Sequence, residues 1–235
     1  MPTAPEAPAR FAAHHVQLLR ALFAALAAVM ITFSPDHSAA IGLSVFSGFA
    51  IATGLVWLIS AWLIAPAGAR WMPITMGALT IVAGMIGGIV PLRSPELFFA
   101  VVIAWALTTG LVETVAGWRA LRALRRNDRA EPADADPTVA GRAAARDALT
   151  VGILTVALGI ALLIVPGQYV LDYYIPDADQ TFTLTGIAIA VGVFGAYAAL
   201  VAVYLAIAGL SPRRDAPVMD EAPAATSAPR PEEGA

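Results

Sequence analysis

One acid stands where an acid is expensive. Glu113 lies inside the apolar run Leu97–Trp118, and a carboxylate within a bilayer costs several kcal/mol unless it is paired, so its position alone marks a functional candidate. Two roles fit. It is either an orienting, ion-paired acid or a group that handles a proton or ion, its proton held more tightly by burial. Trp118 is only five residues further on, so the arginines of the run RALRALRR (residues 119–126) are the expected partners. That run has a reading of its own: Arg119, Arg122, Arg125 and Arg126 sit beside an apolar span, where basic clusters attract anionic lipid headgroups.

Other chemistry is sparse. The segment GQYVLDYYIPDADQT, from Gly167, gathers Asp172, Asp177 and Asp179 among three tyrosines. Its Asp-Ala-Asp matches the opening of a calcium loop, but the glycine and closing glutamate are missing. It reads as a solvated loop with tyrosines at the membrane interface, or, with Asp36, His37 and Glu96, as an acid-titrating surface. No nucleophile elbow, phosphate-binding glycine loop or His-rich ligand spacing occurs, and cysteine is absent. The sequence therefore predicts no catalytic residues, no cofactor and no metal site.

The elements that carry these residues follow from composition. Hydrophobic residues make up 59% of the 235 and charged residues 13%, about half the charged share of a soluble domain. Six apolar runs are long enough to span: Val16–Phe33, Ala39–Ile64, Ile74–Val90, Leu97–Trp118, Ala148–Val165 and Phe182–Leu210. Lipid offers backbone groups no partner, so each is expected to be a helix, and the fold class is all-α integral membrane. All 14 basic residues are arginine. With the N-terminus inside, 13 of them fall in inner segments and only Arg93 in an outer loop; this predicts that both termini are cytoplasmic. The net charge of −3 gives no sign of nucleic-acid binding. The partners implied are the lipid bilayer and either a second copy or another membrane protein.

Residues 77–91, GALTIVAGMIGGIVP, return at 152–166 as GILTVALGIALLIVP, and a shift of 56 aligns Pro35 with Pro91, Gly54 with Gly110 and Trp62 with Trp118. The chain therefore reads as three tandem helical hairpins, each with a first helix ended by proline (Pro35, Pro91, Pro166). The repeat also argues against cleavage of the first span as a signal peptide. In the third hairpin the second helix aligns at Ala199, an insertion of about 14 residues in the outer loop. Small residues predict close helix packing at Gly84, Gly88, Gly192 and Gly195. The resulting layout is an N-terminal segment 1–15, hairpins one and two over 16–126, an unstructured cytoplasmic linker 127–146, hairpin three over 147–210, and a disordered tail from 211.

Gly-x-x-Thr-x-x-x-Gly before Ile-Val-Pro (Gly77, Thr80, Gly84, Ile89, Val90, Pro91; Gly152, Thr155, Gly159, Ile164, Val165, Pro166), with Gly-Leu-Val-Glu at Gly110–Glu113, resembles the HdeD-like family of bacterial membrane proteins. That resemblance implies a noncatalytic multi-pass protein of the bacterial inner membrane with a role in acid or envelope stress. It supplies no catalytic residues. The first repeat departs from the pattern, with Ala21, Ala24 and Ala28 in place of Gly, Thr and Gly. The competing reading is a small transporter or channel with Glu113 as its proton-coupled group, or an accessory scaffold subunit.

Overall fold

The computed structural model describes residues 13–65, 68, 70–130, 136–175 and 179–211; the segment before Ala13 and the tail beyond Ser211, expected to be unstructured, lie outside them. Six long helices run α1 (Ala13–Thr32), α2 (Ala39–Leu63), α3 (Trp71–Gly88), α4 (Pro95–Ala130), α5 (Asp136–Ile164) and α6 (Gly186–Leu210). All six are long and apolar enough to cross a membrane.

The linker expected over 127–146 is helical wherever it is described: α4 continues through Ala130 and α5 begins at Asp136. The residues explain this. The RALRALRR run consists of strong helix formers, and Pro137 falls in the first turn of α5, where its missing N–H goes unused. The inserted loop, expected on the outer side, is also ordered where it is described. Strands β1 (Val170–Ile175) and β2 (Gln180–Thr185) form an antiparallel pair from a stretch rich in aromatic and β-branched residues. The sixth helix consequently starts at Gly186, not Phe182. Asp172 lies opposite Thr183 and accepts its hydroxyl at 2.6 Å. Asp179 enters β2 with φ 49°, a left-handed conformation that Asp tolerates.

The helices close into a ring, α6 packing back on α1, and the closest packing joins α2 to α3, α4 to α5 and α6 to α1. These pairs cross the boundaries of the expected hairpins. Lipid gives helices no hydrophobic reason to associate, so contact depends on small residues that admit a neighbouring backbone. A Cβ on Gly54 would lie 2.8 Å from the Gly77 carbonyl oxygen, and one on Gly77 equally close to that of Gly54. Between α4 and α5, a Cβ on Gly110 would lie 2.7 Å from the Val156 amide nitrogen and 3.0 Å from the Gly152 carbonyl oxygen, and one on Gly152 2.5 Å from the Thr114 amide nitrogen. Between α6 and α1 the corresponding residues are alanines, Ala202 and Ala21, both buried.

This corrects the register of α6. Gly117 approaches Ala145 and Leu149, and Gly209 approaches His14 and Leu18, so α6 follows α4 by 92 positions. Gly110 therefore matches buried Ala202, not Ala199, which is exposed. The outer insertion grows to 17 residues, from 19 positions (Pro91–Gly110) against 36 (Pro166–Ala202).

Three of the four expected packing glycines sit at close approaches. A Cβ on Gly84 would meet Ile51 at 2.9 Å and the Ser47 carbonyl oxygen at 3.0 Å, one on Gly88 the Ser47 hydroxyl at 3.0 Å, and one on Gly195 the Ile31 side chain at 2.7 Å. At Gly192 no atom of another described helix lies within 4 Å of that position, so among the described residues it makes no close helix contact.

Substitution separates the two kinds of glycine. Gly152→Ala, whose Cβ would lie 2.5 Å from the Thr114 amide nitrogen, should destabilise the detergent-solubilised protein by roughly 1–3 kcal/mol. Gly192→Ala should leave its melting temperature unchanged or raise it, by up to about 1 kcal/mol of helix preference.

Candidate functional site

Arg20, about 10 Å along α1 from its start at 1.5 Å per residue, places its Nη2 3.0 Å from Glu113 Oε1. Glu113 is buried and Arg20 partly so, the side chains 4% and 13% exposed. The pair spans α1 and α4. The partner of Glu113 is therefore not in the 119–126 run, whose four arginines are all exposed on the continuation of α4. The Arg20 guanidinium also lies over the Trp57 ring, 4.5 Å from its centroid, a cation–π contact that strengthens when water is excluded.

Around the pair, α2, α4 and α6 each contribute three residues at four-residue spacing: Phe49-Thr53-Trp57, Trp105-Thr109-Glu113 and Tyr197-Val201-Leu205. That spacing stacks the side chains on one helix face. The shift of 56 relates the first set to the second and the shift of 92 the second to the third, so equivalent positions line one site. Thr80 and Thr155, the repeated threonines, complete it from α3 and α5.

These threonines have distinct partners. Trp105 Nε1 donates to Thr80 Oγ1 at 3.3 Å, and the Tyr197 hydroxyl and Thr155 Oγ1 share a bond of 2.9 Å. The corresponding first-repeat residues are Ala24 and Phe49, neither with a side-chain polar atom. The departure at Ala24 thus has a physical reason: a threonine occurs where the facing aromatic carries N–H or O–H, and an alanine where it does not. Thr109 and Thr155 also donate to the carbonyls of Trp105 and Val151, at 2.6 and 2.7 Å.

Not every polar atom is satisfied. Thr53 Oγ1 and Arg20 Nε are buried without a hydrogen-bond partner among the described residues, and both residues line a cavity of about 20 Å³, room for about one water molecule. Phe46, Phe49, Trp105 and Phe194 pack edge to face beside it, with ring centroids 5.3–5.9 Å apart. Because Phe46 and Phe194 lie about one turn beyond Phe49 and Tyr197, this layer closes the site on the side away from the arginine-bearing end.

Asp147 forms a second polar tie at that end. It accepts bonds from Gln17 of α1 and from the Tyr204 hydroxyl of α6, the latter at 3.0 Å. Among the acids expected to face outward, Asp36 accepts the Ser38 amide and hydroxyl at 2.9 and 2.7 Å, which organises the start of α2. Asp177 lies outside the described residues. Tyr174 donates to Asp179 at 2.6 Å, and this bond raises the phenol above its ordinary pKa.

Sequence reading missed Arg20 and Asp147. Arg20 was available, since it lies a full turn inside the first span, but it counts equally well as a topology signal. Asp147 sits one residue before the span that begins at Ala148. No family model matches the chain, and neither does any curated protein or solved structure. Six apolar membrane-length helices define a multi-pass α-helical membrane protein.

Two predictions rest on this geometry. Breaking the pair with Arg20→Met or Glu113→Leu alone should cost about 3–5 kcal/mol by leaving a buried charge, whereas the double variant should recover most of the loss; melting of all three in one detergent checks this. Thr155→Val should cost about 1–3 kcal/mol by orphaning the Tyr197 hydroxyl, and adding Tyr197→Phe should restore stability.

Proposed function

We propose that this chain is a noncatalytic multi-pass protein of a bacterial plasma membrane, with both termini cytoplasmic, of the HdeD-like kind its repeats resemble and serving acid or envelope stress protection. The observation that carries the noncatalytic reading is the Arg20–Glu113 pair in its setting. The carboxylate is paired and buried, the adjoining cavity holds about one water, and an aromatic layer closes one side. Such a centre fastens helices together and leaves no room for an organic substrate. The stress role rests on the repeat motifs and on the acids of the outer segments.

A second reading, a proton-coupled transporter, is favoured by Thr53 and Arg20, which line that cavity and whose Oγ1 and Nε have no hydrogen-bond partner among the described residues. The two readings differ in what they require of Glu113. A fastening needs only a stable bundle, which apolar residues also provide; proton coupling needs the carboxyl group.

Survival of a deletion strain after brief acid challenge should fall at least tenfold. Restoration by the wild-type gene and equally by the Arg20→Met, Glu113→Leu double variant supports the fastening. Rescue by wild type alone, together with proton flux in liposomes that Glu113→Gln abolishes, favours transport. Unchanged survival under acid and other envelope stresses would sink the stress role.

A further inference from the structure

The contact between α3 and α4 is built differently from the close-packed ones. Glycines of α3 admit α2, Gly77 against Gly54 and Gly84 against Ser47, while Gly110 and Gly117 of α4 admit α5. Both helices thus make their closest approaches elsewhere, and an open groove of about 360 Å³ runs between them. Leu79, Val82 and Ile86 line it from one face of α3, and Ala100, Ala104 and Thr108 from one face of α4. All six are exposed. Trp105, only 5% exposed, forms the floor. It also lines the cavity beside Arg20 and Glu113, and its Nε1 ties α4 to α3 through Thr80. One indole therefore separates the polar centre from the lipid-facing side of the bundle.

The lining decides the chemistry of an occupant. The Thr108 hydroxyl is turned back onto the carbonyls of Ala104 and Trp105, at 2.6 and 3.1 Å, and the Trp105 N–H is held by Thr80, so the groove offers apolar contact and no free N–H or O–H among its described lining residues. Size then selects among apolar occupants. One turn of a helix, a cylinder roughly 10 Å across and 5.4 Å high, takes about 420 Å³, more than the whole groove, so a helix could lay only side chains into it. An alkyl chain fits: 360 Å³ is room for about twelve groups of a water molecule's size, roughly 30 Å³ each, and a methylene is of similar size. Length agrees as well. From Ala100 to Thr108 the groove runs about 12 Å at 1.5 Å per residue, within the ~15 Å that one leaflet contributes to a hydrocarbon core of ~30 Å.

We propose that the α3–α4 groove is a binding site for one alkyl chain of a membrane lipid, which lies against Trp105 and covers the wall of the Arg20–Glu113 centre. The site requires only that the chain spans a membrane, and it is independent of the stress role.

Fluorescence in vesicles tests it. In the full-length chain Trp57, Trp62, Trp71 and Trp118 are replaced by Phe, leaving Trp105 as the single indole, and the protein is reconstituted in phosphatidylcholine with a rising fraction of the same lipid brominated at mid-chain. One bound chain gives quenching in direct proportion to the brominated fraction. A curve that rises steeply and then flattens means contact with many chains and would overturn the proposal. Ala104→Leu, which fills the groove from an exposed position, should cut the quenching at least threefold, and Ala199→Leu on the exposed face of α6 should leave it unchanged. Native mass spectrometry gives a second readout with all tryptophans in place, should the four-Phe variant fail to fold: Ala104→Leu should retain one phospholipid fewer than the wild-type chain. Because the sequence has no cysteine, Ala104→Cys reports on a second copy, and its oxidation to a disulfide-linked dimer in vesicles would assign the groove to a partner helix instead. Quenching and lipid retention both unaffected by Ala104→Leu would likewise overturn the site.

Discussion

A charged side chain in hydrocarbon must find its opposite, and here that requirement joins distant parts of the chain. Glu113 is tolerable on α4 because Arg20 reaches it from α1, 93 positions earlier. The bond fixes the rotation of both helices, since neither can turn without separating the charges. Trp57 then covers the guanidinium from α2. Satisfying this one acid thus engages three of the six helices, and the threonine and aromatic bonds beside it align α3, α5 and α6 on the same centre.

The rest of the bundle solves a different problem. Lipid tails are as apolar as the helix surfaces, so burying leucine against leucine gains little over leaving it in lipid, and association relies on close backbone contact. Glycines admit the neighbouring backbone at α2–α3 and α4–α5, and Gly195 and Gly209 admit the side chains of Ile31 and Leu18 at α6–α1. The polar centre supplies specificity and the small residues supply proximity.

The helices were legible in the sequence because length and hydropathy are local properties. Their partners were less so. Arg20 reads equally as a topology signal and as an ion-pair member, and only the ring closure of α1 decides between them. The register of α6 slipped by one turn, from Ala202 to Ala199, because an alanine-rich helix offers many alignments of equal quality. Hydropathy also conceals the ends of α4 and α5: their arginines are hydrophilic enough to resemble a linker, while their backbone preference is helical. The β-hairpin was hidden by its polar residues, although its tyrosines, threonines and valine favour strand.

Helix α4 runs unbroken for 36 residues, from Pro95 to Ala130, with no proline after its first position. Glu113 and Arg125 therefore belong to one rod, about 18 Å apart along its axis at 1.5 Å per residue. A lateral displacement imposed on the projecting end has no kink at which to dissipate before it reaches the acid. It arrives at a clamp: Gly110 and Gly117, on either side of the acid, hold α4 against α5, with arms of nearly equal length beyond them, 15 positions back to Pro95 and 13 on to Ala130.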